Sequence, residues 1–148
     1  MRVLFLTHRL PYAPDRGDRI RAYHMLRVLS RHADVDVVSL VHDAEEAARV
    51  DTLRDLARTV TVAPTSRLRS YPAAVRAVLL QQPLTHAFLD SSVLTQAFAR
   101  IARQERPDVV LAYCSGMARF ALQPPLASLP FVLDMVDVDS AKWAEFAD

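Results

Sequence analysis

Cysteine, glycine and lysine are scarce in this sequence, and long apolar runs are absent. Cys114 is the only cysteine among 148 residues, so no internal disulfide can form and a reducing compartment fits best. No apolar run approaches the roughly 20 residues that span a bilayer. The run from Val3 to Leu6 is also too short for the core of a signal peptide. We therefore expect a cytoplasmic protein.

The two glycines, Gly17 and Gly116, are too far apart to form a nucleotide-binding fingerprint. Neither belongs to a Gly-x-Gly-x-x-Gly motif, and no Gly-Lys-Ser/Thr occurs, so we expect neither an NAD site nor a P-loop. Basic and acidic residues number 18 and 17, a balance that gives no reason to expect nucleic acid as a partner. The hydrophobic content of 51% suffices for one core, which predicts a single domain over residues 1–148.

Apolar runs alternate with segments of helical periodicity along the chain. We predict strands at 2–7, 34–41, 60–62, 109–113 and 131–136, and helices at 18–30, 44–57, 71–80, 91–103, 115–120 and 140–146. Asp18, Asp43 and Ser115 are placed to cap three of these helices. This alternation favours an α/β fold, a Rossmann-like doubly wound parallel sheet with helices on both faces. If the strand order is 3-2-1-4-5, ligands bind outside the carboxyl ends of the strands, where strands 1 and 4 diverge.

Both glycines follow the two strands that border this expected crevice. Glycine permits a ligand to approach the backbone closely, which makes Gly17 and Gly116 candidates for substrate binding. The alternative is that each glycine only opens a helix or completes a turn. Around Gly17, the amides of a helix N-terminus would lie beside Arg16, Asp18 and Arg19, a setting that can bind a diphosphate. The alternative for this loop is that its aspartates pair with its arginines.

A run of carboxylates follows the last predicted strand. Asp134 lies inside that strand, which we expect to be buried on both faces, so its carboxylate needs a hydrogen-bonding partner or a functional role. Asp137 and Asp139 come just after the strand and can accept protons or hydroxyl hydrogen bonds from a sugar. Asp139 or Ser140 can instead cap the final helix. No histidine or cysteine lies near these carboxylates in the sequence, so we expect no metal.

The segment from Tyr113 to Met117 superficially resembles a nucleophile turn. It does not match Gly-x-Ser-x-Gly, and covalent catalysis at Cys114 or Ser115 is therefore not favoured. A contact of Ser115 or Gly116 with substrate, or a helix cap at Ser115, fits better. Among five histidines, His8 lies at the carboxyl end of the first predicted strand, beside the expected crevice, which makes it a candidate for substrate binding.

Three segments of the chain resemble a known family. They are 3–12 (VLFLTHRLPY), 14–24 (PDRGDRIRAYH) and 134–143 (DMVDVDSAKW), the last including the single lysine, Lys142. Together they resemble the N-terminal domain of group 1 retaining glycosyltransferases with the GT-B fold. The resemblance is greatest to the sugar transferases of the exosortase and PEP-CTERM sorting systems, and it covers essentially the whole chain.

The resemblance implies one half of a GT-B enzyme. In that fold an N-terminal, acceptor-side Rossmann-like domain faces a C-terminal domain that binds the nucleotide sugar and that this chain lacks. The first loop, here Arg16, Gly17 and Asp18, faces the donor diphosphate. Many relatives have two adjacent glycines where this chain has Gly17 and Asp18, and a His-Asp pair where it has Val136 and Asp137. Only Asp137 of that pair matches.

The implied activity is sugar transfer from a nucleotide sugar to a sugar or lipid-linked acceptor in polysaccharide or glycoconjugate biosynthesis. The nucleotide sugar is a substrate, and neither a cofactor nor a metal is implied. Asp137 and Asp139 are the implied acceptor-side catalytic residues, and Lys142 a substrate contact. A lipid-linked acceptor would bring the enzyme into peripheral contact with the inner face of the cell membrane. The isolated half is expected to be inactive, and the alternative is a stand-alone flavodoxin-like binding or regulatory domain.

Overall fold

The structure, a computed structural model, describes residues 1–12, 17–65, 92–104 and 106–135. Five strands are present in these ranges: β1 (Arg2–Thr7), β2 (Asp34–Val41), β3 (Thr59–Pro64), β4 (Val109–Tyr113) and β5 (Phe131–Asp134). The helices are α1 (Gly17–Leu29), α2 (Ala44–Ala48), α3 (Ser92–Gln104) and α4 (Ser115–Ala121), and a short 3-10 helix (Val50–Leu53) follows α2. None of the described helices is both long and apolar enough to cross a membrane.

The strands form one parallel sheet in the order β3-β2-β1-β4-β5. In its register Thr7 of β1 pairs with Ser39 of β2 on one side and with Tyr113 of β4 on the other. The carboxyl ends of the strands therefore lie at one edge of the sheet. This order is the one expected from the sequence for a Rossmann-like fold, and it differs from the flavodoxin order 2-1-3-4-5.

Helices cover both faces of the sheet, as predicted. Alternate residues of β1 point to opposite sides, so Phe5 packs with α1 and the 3-10 helix, whereas Leu4 and Leu6 pack with α3 and α4. Leu26 of α1 and Met117 of α4 are fully buried in these two cores. The central strands are covered by helices on both faces, which explains why β1, β2 and β4 are mainly apolar runs, and their bounds were predicted correctly.

Several local predictions were wrong. The helix predicted at 44–57 is interrupted, since α2 ends at Ala48 and a 3-10 helix follows. The carboxyl-terminal strand β5 is an edge strand, exposed along half its length, rather than a strand buried on both faces, and it ends at Asp134. Ser115 is the first residue of α4, and Cys114 rather than Ser115 occupies the N-cap position. The cap at Asp43 is confirmed, for its carboxylate accepts the N–H of Glu46 at 2.7 Å. The helices predicted at 71–80 and 140–146 lie outside the described residues.

Candidate functional site at the carboxyl edge of the sheet

The connections from β1 and β4 leave the sheet toward opposite faces. The chain passes from β1 to α1 on one face and from β4 to α4 on the other, although the two strands are hydrogen-bonded neighbours. Such a divergence is the topological switch point at which open α/β sheets bind ligands. Gly17, Ser115 and Gly116 lie in the first turns of α1 and α4, so the structure brings these predicted site residues to the same edge.

His8 and Tyr113 lie at the carboxyl ends of β1 and β4, at this switch point. The rings of His8 and Tyr113 are nearly parallel, at 8°, with centroids 6.1 Å apart. Tyr113 is buried and also makes an edge contact with Phe5. Thr7 is fully buried, and among the described residues its hydroxyl has no hydrogen-bond partner. Because an unsatisfied buried hydroxyl costs free energy, its position at the switch point is a feature that packing alone does not explain.

Gly17 is the first residue of α1, and space is open around it. A Cβ added there would meet no atom within 4 Å, and no glycine described in the structure has a positive φ. The fold therefore does not require glycine at this position. The first turn of a helix presents unpaired N–H groups and a partial positive charge, which together favour an anion. A missing side chain at this point leaves such an anion room to approach.

Arg19 lies in the protein interior, with only 6% of its surface exposed. Its Nη1 donates to the hydroxyl of Tyr12 at 2.6 Å, and its guanidinium stacks 4.6 Å from the centre of the same ring. Its Nη2 lies 3.7 Å from Oε1 of the fully buried Glu46. A substrate contact of Arg19 stays a prediction, while in this structure its guanidinium holds the first loop against the body of the domain.

Glu46 is the structurally important residue that the sequence reasoning missed. Its Oε1 accepts the N–H of Leu10 at 2.9 Å, and its Oε2 accepts the N–H of His42 at 2.8 Å. One carboxylate thus ties the loop after β1 to the end of β2. The signal was available, because Asp43 and Glu46 have the spacing of a capping box, in which the fourth residue turns back toward the helix start.

Arg21 bridges the two halves of the rim. Its Nη2 lies 2.8 Å from both carboxylate oxygens of Asp134 at the end of β5, 113 residues away in the sequence. The side chain of Asp134 is 12% exposed and that of Arg21 is 55% exposed. The carboxylate within the predicted strand therefore has the partner that its partial burial requires. The pair also links α1 to the end of β5.

Cys114 has a backbone conformation that is rare for a residue with a side chain. Its φ of 79° and ψ of 156° lie in a region that glycine normally occupies. Its N–H donates to the carbonyl of Asp134, and its carbonyl accepts the N–H of Met117, so strand pairing and the start of α4 hold this conformation. The turn after β4 is consequently sharp, and it places Ser115 and Gly116 directly at the rim.

The remaining predicted site residues are Arg16, Asp137, Asp139 and Lys142, and they lie outside the described residues. The Asp18 backbone lies in the first turn of α1. Within the described ranges, no group of three histidine, cysteine or acidic side chains is arranged to hold a metal ion. The described part of the rim can thus offer helix amides and the His8 ring, which suit an oxyanion or a sugar hydroxyl.

Comparison with known proteins informs the fold only. Neither the protein-family models nor the curated proteins give a match to this chain. Among solved structures, the crystal structure of the C-terminal domain of a hydrogenase from Pyrococcus furiosus is similar, with a TM-score of 0.56 and 12% sequence identity over 90% of each chain. At this identity the likeness supports the α/β architecture and carries no information about activity. The described chain is thus a parallel α/β domain of the Rossmann-like type.

Proposed function

We propose that this chain is the acceptor-side Rossmann-like domain of a retaining glycosyltransferase, which transfers a sugar from a nucleotide sugar to a sugar or lipid-linked acceptor. The motifs at 3–12, 14–24 and 134–143 are the basis of the proposal. The observation that carries it furthest is the position of Gly17. It is the first residue of α1 at the switch point of the sheet, and a Cβ added to it would meet no atom within 4 Å.

The proposed chemistry needs binding and orientation more than a protein nucleophile. The donor diphosphate would lie at the start of α1, where helix amides stabilise the negative charge that develops on the leaving group. Arg16, adjacent to Gly17 in sequence, would add a guanidinium contact. Asp137 and Asp139 would orient the acceptor hydroxyl, and a second domain would hold the nucleotide. The Glu46 network would act indirectly by keeping the first loop in place.

The first test is sugar transfer by the protein that the complete reading frame encodes. We expect this protein to release nucleoside diphosphate from a panel of nucleotide sugars when acceptor is present, and the 148-residue chain to release none. Transfer by the 148-residue chain alone would contradict the half-site proposal. Binding of a small ligand at the rim of the isolated chain, with no transfer by the complete protein, would favour a stand-alone binding domain instead.

The second test uses Gly17→Val in the complete protein. Because the position has open space and no positive φ, the variant should fold normally and lose at least tenfold in kcat/KM through crowding of the diphosphate. Ala44→Val is the matched control, since Ala44 is exposed and opens α2 at the same edge, behind β2. Unchanged kinetics in Gly17→Val, or an equal loss in Ala44→Val, would remove Gly17 from the site.

A further inference from the structure

A cavity of about 490 Å³ opens on α3, away from the rim described above. It lies between α3 and the segment that precedes β5, and Arg106 just before β4 also lines it. It is therefore near the amino edge of the sheet, opposite to the carboxyl ends of the strands. Its volume falls within the range of about 300–1,000 Å³ that is usual for small-molecule sites.

Small side chains of α3 leave the space for this cavity. Ala99 and Ala102 lie on one side of α3, and Pro124, Pro125 and Leu129 form the opposing wall. Larger residues at the two alanine positions would fill the space between these walls. The interior surface is thus mainly apolar and suits a ring or a short aliphatic chain.

Two arginines make this cavity electropositive. Arg103 and Arg106 both line it, and none of the lining residues that the structure describes is acidic. Arg106 Nη2 donates to Oγ of Ser128 at 3.1 Å, which orients the guanidinium while leaving most of its five N–H donors for other partners. The carboxyl end of α3 contributes a charge of about −0.5, which the two guanidinium groups exceed.

From this combination we infer that the cavity binds a small amphipathic oxyanion, a phosphate or carboxylate attached to an apolar ring or short chain. The apolar walls hold the ring or chain, and the guanidinium groups of Arg103 and Arg106 hold the anionic head. This site is separate from the proposed transferase site and does not depend on it.

The test is a titration of the ¹⁵N-labelled 148-residue chain with phenyl phosphate, followed by amide chemical shifts. We expect the largest shifts at Ala99 to Arg103 and at Leu126 to Leu129. Inorganic phosphate offers only the charge and phenol only the ring, so each should bind at least tenfold more weakly than phenyl phosphate. Shifts concentrated at Gly17 and Tyr113, or equal affinity for all three probes, would overturn the inference.

Two variants test the two halves of the site separately. Ala99→Leu fills the apolar part, and Arg106→Gln removes one anion contact, so each should weaken phenyl phosphate binding about tenfold. Arg49→Gln is the control, since Arg49 is exposed at the end of α2 and does not line the cavity. If Arg106→Gln bound phenyl phosphate as tightly as Arg49→Gln does, the inference would be overturned. This comparison holds even if Ala99→Leu fails to fold.

Discussion

The buried carboxylate of Glu46 offers the sharpest test of how the first loop is held. It is fully buried, accepts two backbone N–H groups and faces the guanidinium of Arg19. Glu46→Ala leaves the amides of Leu10 and His42 without acceptors and Arg19 without its carboxylate. Removing one partner of a buried charged pair costs about 3–5 kcal/mol. The hydrogen bonds and the ion pair involve the same carboxylate, so the costs of losing them do not simply add.

We therefore expect Glu46→Ala to lower the free energy of unfolding by about 3–5 kcal/mol. A domain of this size has a stability of about 5–15 kcal/mol, so the loss should be plain in urea unfolding followed by circular dichroism. Glu46→Gln keeps one carbonyl oxygen but directs an amide group at the second N–H donor. The free energy of unfolding of Glu46→Gln should therefore lie between that of the wild type and that of Glu46→Ala.

The neighbouring residue supplies the control. Glu45 lies in the same first turn of α2 but is exposed, so Glu45→Ala should change the free energy of unfolding by at most about 1 kcal/mol. Amide exchange at Leu10 should also accelerate in Glu46→Ala and stay unchanged in Glu45→Ala. If the two variants were equally stable, the idea that Glu46 holds the loop would be refuted.

Three further predictions concern backbone strain, the core and the rim. In urea unfolding, Cys114→Gly should be at least about 1 kcal/mol more stable than Cys114→Ala, because only glycine relieves the backbone strain at φ 79°. Alanine is normally the more stabilising of these two residues, so a more stable Cys114→Ala would refute the strain. Leu6→Ala, in the core, should lower the free energy of unfolding by about 2–5 kcal/mol, whereas Val28→Ala, on the surface, should change it by at most about 0.5 kcal/mol. Equal effects of the two substitutions would contradict the assigned core. A double-mutant cycle with Arg21→Gln and Asp134→Asn should give a coupling of at most about 1 kcal/mol, because Arg21 is 55% exposed. A larger coupling would mean that the pair is shielded from water.

The apolar pattern of the sequence was sufficient to predict the architecture. Strands β1, β2 and β4 are covered by helices on both faces, so each is a mainly apolar run, and such runs can be recognised directly in the sequence. The crossover rule then makes the strands parallel, and a parallel sheet brings Gly17 and Gly116 to one edge. That part of the candidate site follows from local pattern and connectivity alone.

Only the tertiary structure decided what the polar residues of the rim contact. The N–H of Leu10 donates to Glu46, which is 36 residues away in the sequence, and Arg21 pairs with Asp134, which is 113 residues away. No local pattern predicts either partner. The exposed face of β5 likewise reflects its place at the edge of the sheet, since an apolar run looks the same in a central strand and in an edge strand. Side-chain periodicity determines which elements form, whereas the pairing of buried charges depends on distances that exist only after those elements have packed.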